Sequence, residues 1–130
     1  MFEAWSKPGQ IRRWAAPAQG WQFDIADFDF RVGGGASFAF GPTGEVPYVD
    51  TTRYDDIVPD RRIVTAYAIA KGAMRISLSV SCLECVAQAG GTLLRVTETG
   101  VFLDGSETVA TRKGGVAHQL SQLADYIGAR

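Results

Sequence analysis

The chain has 130 residues, of which 46% are apolar and 21% charged, enough for one domain with a core that needs no metal or disulfide. Its 13 basic and 14 acidic side chains give a net charge of −1, which argues against a broad nucleic-acid or anionic-membrane footprint. No apolar run approaches the ~18 residues of a membrane span, no signal core is visible, and two cysteines suit a reducing compartment, so a cytoplasmic protein is expected, with one domain over residues 1–130.

The N-terminal stretch to residue 16 reads as two short helices. MFEAW is rich in helix formers, Ser6 is a candidate N-cap, and Pro8 stands in the first turn of a second helix carrying Ile11 and Trp14. Strand signals then run from Trp21 to Phe102, over residues 21–30, 36–40, 47–58, 62–70, 73–87 and 92–102. The connections are short and rich in Gly and Pro, which predicts one antiparallel meander. From Ser106 to Ile127 the period becomes helical, with Val109, Val116, Leu120, Leu123 and Ile127 on one stripe and Ser106 or Asp104 as the cap. Gly114-Gly115 inside this helix costs about 1 kcal/mol per residue relative to Ala, which points first to close approach of the helix to the sheet and second to a kink beside a pocket. The fold class is therefore α+β: an antiparallel sheet whose apolar face is covered by the long C-terminal helix, with two short helices at the N-terminus.

Turn geometry predicts which side chains share the covered face. A two-residue turn at Lys71-Gly72 pairs Met74 with Ile69, Ile76 with Tyr67, Leu78 with Thr65 and Val80 with Ile63. That register covers Ile76, Leu78, Val80, Cys82, Glu84 and Val86. For the next turn a three-residue loop, Ala89-Gly90-Gly91, is preferred, pairing Glu84 with Val96 and Cys82 with Glu98. A two-residue loop would instead pair Glu84 with Arg95. In the preferred register Glu84 and Glu98 fall on an apolar face as diagonal neighbours, roughly 7–8 Å apart. An unpaired buried carboxylate is strongly unfavourable, so either a polar cavity receives the two acids or an ion pair with Arg53 or Arg95 satisfies them. Arg53 and Tyr67 join them if the loop Pro59-Asp60-Arg61 sets a three-residue register.

Other chemistry is weakly signalled. Cys82 and Cys85 form a CxxC inside a strand, where their side chains point to opposite faces, so they read as packing thiols. The lone His118 lies off the helical stripe and reads as solvated. The glycines at 33–35 open no helix and read as a turn. No metal or cofactor fingerprint occurs, and none is expected. The aromatic residues either fill the core or line a cavity for an apolar ligand. The ligand-binding candidates are Glu84, Glu98, Tyr67 and Arg53, with Trp14, Phe38, Phe40 and Phe102.

Taken in order along the chain, several segments carry a resemblance. FEAWSKPGQIRRW resembles the helix pair of SRPBCC (START-like) proteins, in the branch of heat-shock ATPase activator homologues. Phe30-Arg31-Val32-Gly33-Gly34 resembles that branch's arginine-x-glycine-glycine turn, and Asp55 to Ile63 (DDIVPDRRI) resembles its hairpin. Ser81-Cys82-Leu83-Glu84 is similar to its T-x-E strand, and Gly91-Thr92-Leu93-Leu94 with the stretch Thr97 to Gly105 is similar to its GT-x-L and TE-x-G segments. The resemblance implies the helix-grip fold, a curved sheet wrapped around the C-terminal helix with a cavity between them. It also implies ligand binding as the general theme, and Glu84 and Glu98 match positions where this branch often carries acids. The leading expectation is binding of a small apolar or amphipathic molecule. The alternatives are a protein-interaction module with a chaperone partner and, third, a carboxylate-dependent enzyme. Members usually begin with a strand, whereas this chain starts inside the first helix. Either the start codon is misassigned or that strand is absent; if it is absent, the strand 92–102 is expected to present a free edge and to favour a homodimer or partner contact.

Overall fold

The computed structural model describes residues 2–16 and 19–128. Met1, where the expected first helix begins, and positions 129–130, where the expected domain ends, lie outside the described residues. Two short helices, α1 (Glu3–Ser6) and α2 (Pro8–Trp14), lead the chain. Pro8 opens α2 at a position where no backbone N–H is needed and its fixed φ suits the helix. The capping position is Lys7, in extended conformation and without a side-chain cap, whereas the expected cap, Ser6, ends α1.

Six strands follow: β1 (Trp21–Ala26), β2 (Gly35–Pro42), β3 (Tyr48–Val58), β4 (Arg62–Lys71), β5 (Met74–Gln88) and β6 (Gly91–Phe102). They form one sheet in chain order with every neighbouring pair antiparallel. β1 stops at Ala26 instead of 30 because Asp27 takes a left-handed backbone, φ 52°. In the loop after it, a Cβ on Gly34 would lie 2.3 Å from the Asp29 carbonyl oxygen, so only glycine fits there.

Two bulges decide the faces of the sheet. In β5, Ala70 pairs with Arg75 but Ile69 pairs with Ser77, leaving Ile76 as the extra residue. Ile76 and Ser77 are consequently both buried, and the alternation beyond them is inverted from the expected one. Ser77 and Ser79 turn inward at 1% and 6% exposure, while Leu78 and Val80 turn outward at 41% and 53%. The turn itself is Gly72-Ala73, one residue later than expected, a shift that alone would have left the faces unchanged. In β3, Tyr54 pairs with Thr65 but Asp56 with Val64, so Asp55 is extra. The loop at Pro59-Asp60-Arg61 does have three residues, yet this bulge sets Arg53 opposite Ala66 and Thr52 opposite Tyr67. The last turn is the two-residue Ala89-Gly90, which pairs Glu84 with Arg95 and not with Val96.

The long helix α3 spans Val109–Gly128. Its cap is Thr108, not Ser106 or Asp104: the Thr108 hydroxyl accepts the Thr111 N–H at 3.2 Å, and the Thr111 hydroxyl accepts the Thr108 N–H at 2.8 Å. Asp104 and Ser106 bond each other upstream. Val109, expected on the apolar stripe, is exposed. Leu123 is fully buried against Ala4, Ile11, Trp14 and Ala15, which fastens the later part of α3 to the N-terminal helices. A second cluster, Ala36, Tyr54, Ile63 and Leu83, packs on the sheet's inner face.

Gly114 and Gly115 do not mark close approach: a Cβ on either would meet nothing within 4 Å. Gly114→Ala is therefore expected to stabilise the protein by about 0.5–1 kcal/mol through helix propensity alone. A urea unfolding midpoint that falls in this variant would show that the helix needs glycine there.

Candidate functional site

Between the inner face of the sheet and α3 lies a cavity of about 540 Å3, within the range of small-molecule sites. The alternation of β1, β2 and β3 turns Trp21, Phe23, Phe38, Phe40 and Tyr48 into it, and α2 adds Trp14. All three tryptophans of the chain, Trp5, Trp14 and Trp21, line it. Against this aromatic wall stands a polar one. Asp50 and Thr52 reach it from β3, Tyr67 from β4, Glu98 from β6, and Glu107 and Arg112 from the start of α3 and the residues before it.

Arg112 organises the polar wall. Its Nε and Nη2 donate to the two Glu107 oxygens, both at 2.6 Å. Nη1 donates to the Tyr67 hydroxyl at 2.8 Å and to Ser79 Oγ at 3.2 Å, and Nη2 also donates to Ser77 Oγ at 2.8 Å. The Tyr67 hydroxyl in turn donates to Glu98 Oε1, whose other oxygen is 3.8 Å from Arg112 Nη1. The guanidinium also lies against two rings, with centroid distances of 5.6 Å to Tyr67 and 5.2 Å to Phe102. The side chains of Arg112 and Glu98 are only 11% and 15% exposed, so this network is shielded from bulk screening.

Burial works to lower the Arg112 pKa, but the hydrogen bonds and charge of Glu107, with Tyr67 and Glu98, outweigh it and the pKa is raised. The Tyr67 phenol is raised by burial and by its bond to the Glu98 carboxylate. Burial pushes the Asp50 carboxyl up to about 6, against the opposing hydrogen bond from Thr52 and the charge of Arg112. Tyr54, deeper on the same strand, is pushed up to about 12 by burial and by the charge of Asp50.

Of the residues expected to bind a ligand, Trp14, Phe38, Phe40, Tyr67 and Glu98 lie on the cavity wall. Phe102 faces the same side but covers the Arg112 guanidinium. Glu84 is on the opposite face of the sheet because the β5 bulge inverts its strand, and the two-residue turn sets it opposite Arg95, 3.7 Å away. Arg53 is also outside, bonded to Asp55 at 2.7 Å. The expected pairing of Glu84 with Glu98 in one hollow is thus corrected: Glu98 shares its wall with Asp50, not with Glu84. Cys82 and Cys85 are free thiols. His118 is exposed, as expected, yet contributes to the cavity lining. Among the described residues no group of three or more His, Cys, Asp or Glu side chains is placed to hold a metal ion.

Sequence reasoning missed Asp50, Arg112 and Glu107. A signal for Arg112 was present, because it falls in step with Val116, Leu120 and Leu123, making it a charge inside an apolar stripe. Asp50 likewise alternates with Tyr48, Thr52 and Tyr54 on one face of β3.

Residues 1–128 match the family described as Activator of Hsp90 ATPase homolog 1-like protein. The chain is similar to a protein of known crystal structure from Rhizobium loti, at 36% identity and a TM-score of 0.83, covering 96% of this chain and 85% of that one. It is also similar to one from Rhizobium leguminosarum, at 34% identity and a TM-score of 0.88, covering 99% and 85%. A protein from Chromobacterium violaceum shares the fold at 21% identity, a TM-score of 0.82 and coverage of 95% and 84%. A comparison with curated proteins gave no match. The helix-grip fold expected from the sequence is the fold of this chain. No helix among the described residues is long and apolar enough to cross a membrane.

Proposed function

The chain belongs to the Activator of Hsp90 ATPase homolog 1-like family, and from there we propose that it binds a small apolar or amphipathic molecule between its sheet and α3. The observation that carries this reading is the joining of an aromatic wall and an ordered polar wall around one cavity. A sheet-on-helix core that served stability alone would gain by closing that space with apolar side chains. The position of all three tryptophans gives a direct readout. N-phenylnaphthylamine, an uncharged apolar fluorophore, is expected to bind one per chain and to quench tryptophan emission by energy transfer. Gly115 lines the cavity with open space around it, so Gly115→Leu is expected to weaken that binding by about tenfold while leaving the helix intact. No saturable signal from the unmodified protein would end the proposal.

A second reading, a protein-interaction module, is supported by the outer face of the sheet. Leu78, Val80 and Val101 stand exposed there at 41%, 53% and 59%, and β6 has no second strand partner among the described residues. Native mass spectrometry of protein purified from its own host separates the two readings. A co-purifying small molecule supports the first; a second copy of the chain or a bound heat-shock ATPase supports the second.

A further inference from the structure

We infer that the cavity selects amphipathic molecules whose polar end is a cationic amine, received by the carboxylates of Asp50 and Glu98, and that it disfavours anions. This rests on the reading of the cavity as a binding site. It follows from what Arg112, Tyr67 and the three carboxylates of the polar wall have left to donate or accept.

A guanidinium has five N–H bonds. Arg112 places all five, on Glu107 twice, Tyr67, Ser79 and Ser77. Rings of Tyr67 and Phe102 lie against its surface. The one arginine on the wall therefore has no donor left for an incoming carboxylate or phosphate. Tyr67 has also committed its proton, to Glu98. Acceptors remain. Asp50 Oδ1 takes the Thr52 hydroxyl at 2.6 Å, and among the described residues its Oδ2 takes no hydrogen bond. Among the described residues, Glu98 Oε2 has only the long 3.8 Å approach of Arg112. Three carboxylates on the cavity lining, Asp50, Glu98 and Glu107, face a single guanidinium, and Glu107 already engages it through both oxygens. An ammonium group has three donors and no acceptor, which complements this inventory, and the surrounding aromatic rings accept a cation on their faces.

The charge of Asp50 changes with pH. The charged and titratable groups around it are Tyr48 and Tyr54 on β3, Tyr67 on β4, Glu98 on β6, Glu107 before α3, and Arg112 and His118 on α3. With its carboxyl pushed up to about 6, Asp50 is ionised at pH 7.5 and largely neutral at pH 5.

The test uses three probes of one size and shape: naphthylethylamine, naphthylethanol and naphthylacetate, titrated calorimetrically into the full chain. At pH 7.5 the amine is expected to bind about tenfold or more tighter than the alcohol, the scale of one charge-assisted hydrogen bond, with the acetate weakest. In Asp50→Asn, which keeps the shape and the Thr52 bond, the amine should lose its advantage. Lowering the pH to 5 should shrink the preference more in the unmodified protein than in the Asn variant. Equal binding of all three probes overturns the amine preference while leaving the cavity reading in place. Tightest binding of the acetate also overturns it. Failure of every probe to bind overturns both.

Discussion

Replacing Arg112 with methionine is expected to destabilise the protein by about 3–5 kcal/mol. Methionine preserves much of the packing against Tyr67 and Phe102 but removes all five donors. Glu98 and Glu107, 15% and 23% exposed, would be left without a counter-charge, and Ser77 and Ser79 without a donor to accept from. Lysine is expected to rescue little, since a compact ammonium cannot reach five acceptors laid out for a planar fork. The measurement is chemical denaturation, with Glu84→Gln as the reference. Glu84 and Arg95 are 41% and 56% exposed, and breaking that pair should move stability by less than about 0.5 kcal/mol. Equal losses in the two variants would mean that the network on the inner face carries no special weight.

The second large effect concerns Asp50 and is a dependence on pH. Its carboxyl titrates near 6 in the folded chain, against an ordinary value of 3.8. A raised acid holds its proton more tightly when folded. The stability this provides is fully present below about pH 4 and is lost as the pH rises through about 6. At neutral pH the ionised, part-buried carboxylate therefore works against the fold. Asp50→Asn removes the titration, so its stability relative to the unmodified chain should rise by roughly 2–3 kcal/mol between pH 4 and pH 7.5. Both arms are read by urea unfolding. A difference that stays constant across that range would show that Asp50 is not raised. Retention of a destabilising carboxylate on a cavity wall fits a group held for what it contacts from the cavity.

The element order, the meander and the long helix were legible because hydrophobic period and turn residues mark them directly. Trp14, Phe38 and Phe40 were also legible, since an aromatic on the inner face of a short strand or beside the helix has few other places to go. The faces of β3 and β5 were not. A bulge adds one residue without changing composition, and a period-two pattern continues through it with the opposite parity. In β5 the pattern was doubly misleading. The inward residues Ser77 and Ser79 are polar because they serve Arg112, and the outward Leu78 and Val80 are apolar. The alternation looked correct only when read upside down. Glu84 was misplaced for that reason, and Arg53 for the same reason on β3. Arg112 and Asp50 were not legible as site residues because their partners come from β3, β4, β5, β6 and the segment before α3, which no single hairpin brings together.

Helix α3 is secured at two places: near its start, where Arg112 is tied to β4, β5 and the segment before the helix, and near its end, where Leu123 is seated among the N-terminal helices. The stretch between them spans the chamber like a beam on two piers. The headroom beneath is set by the piers, and residues such as Gly115 along the beam determine only what the room can contain. Substitutions at mid-span are thus expected to reshape the space beneath the helix without loosening either support.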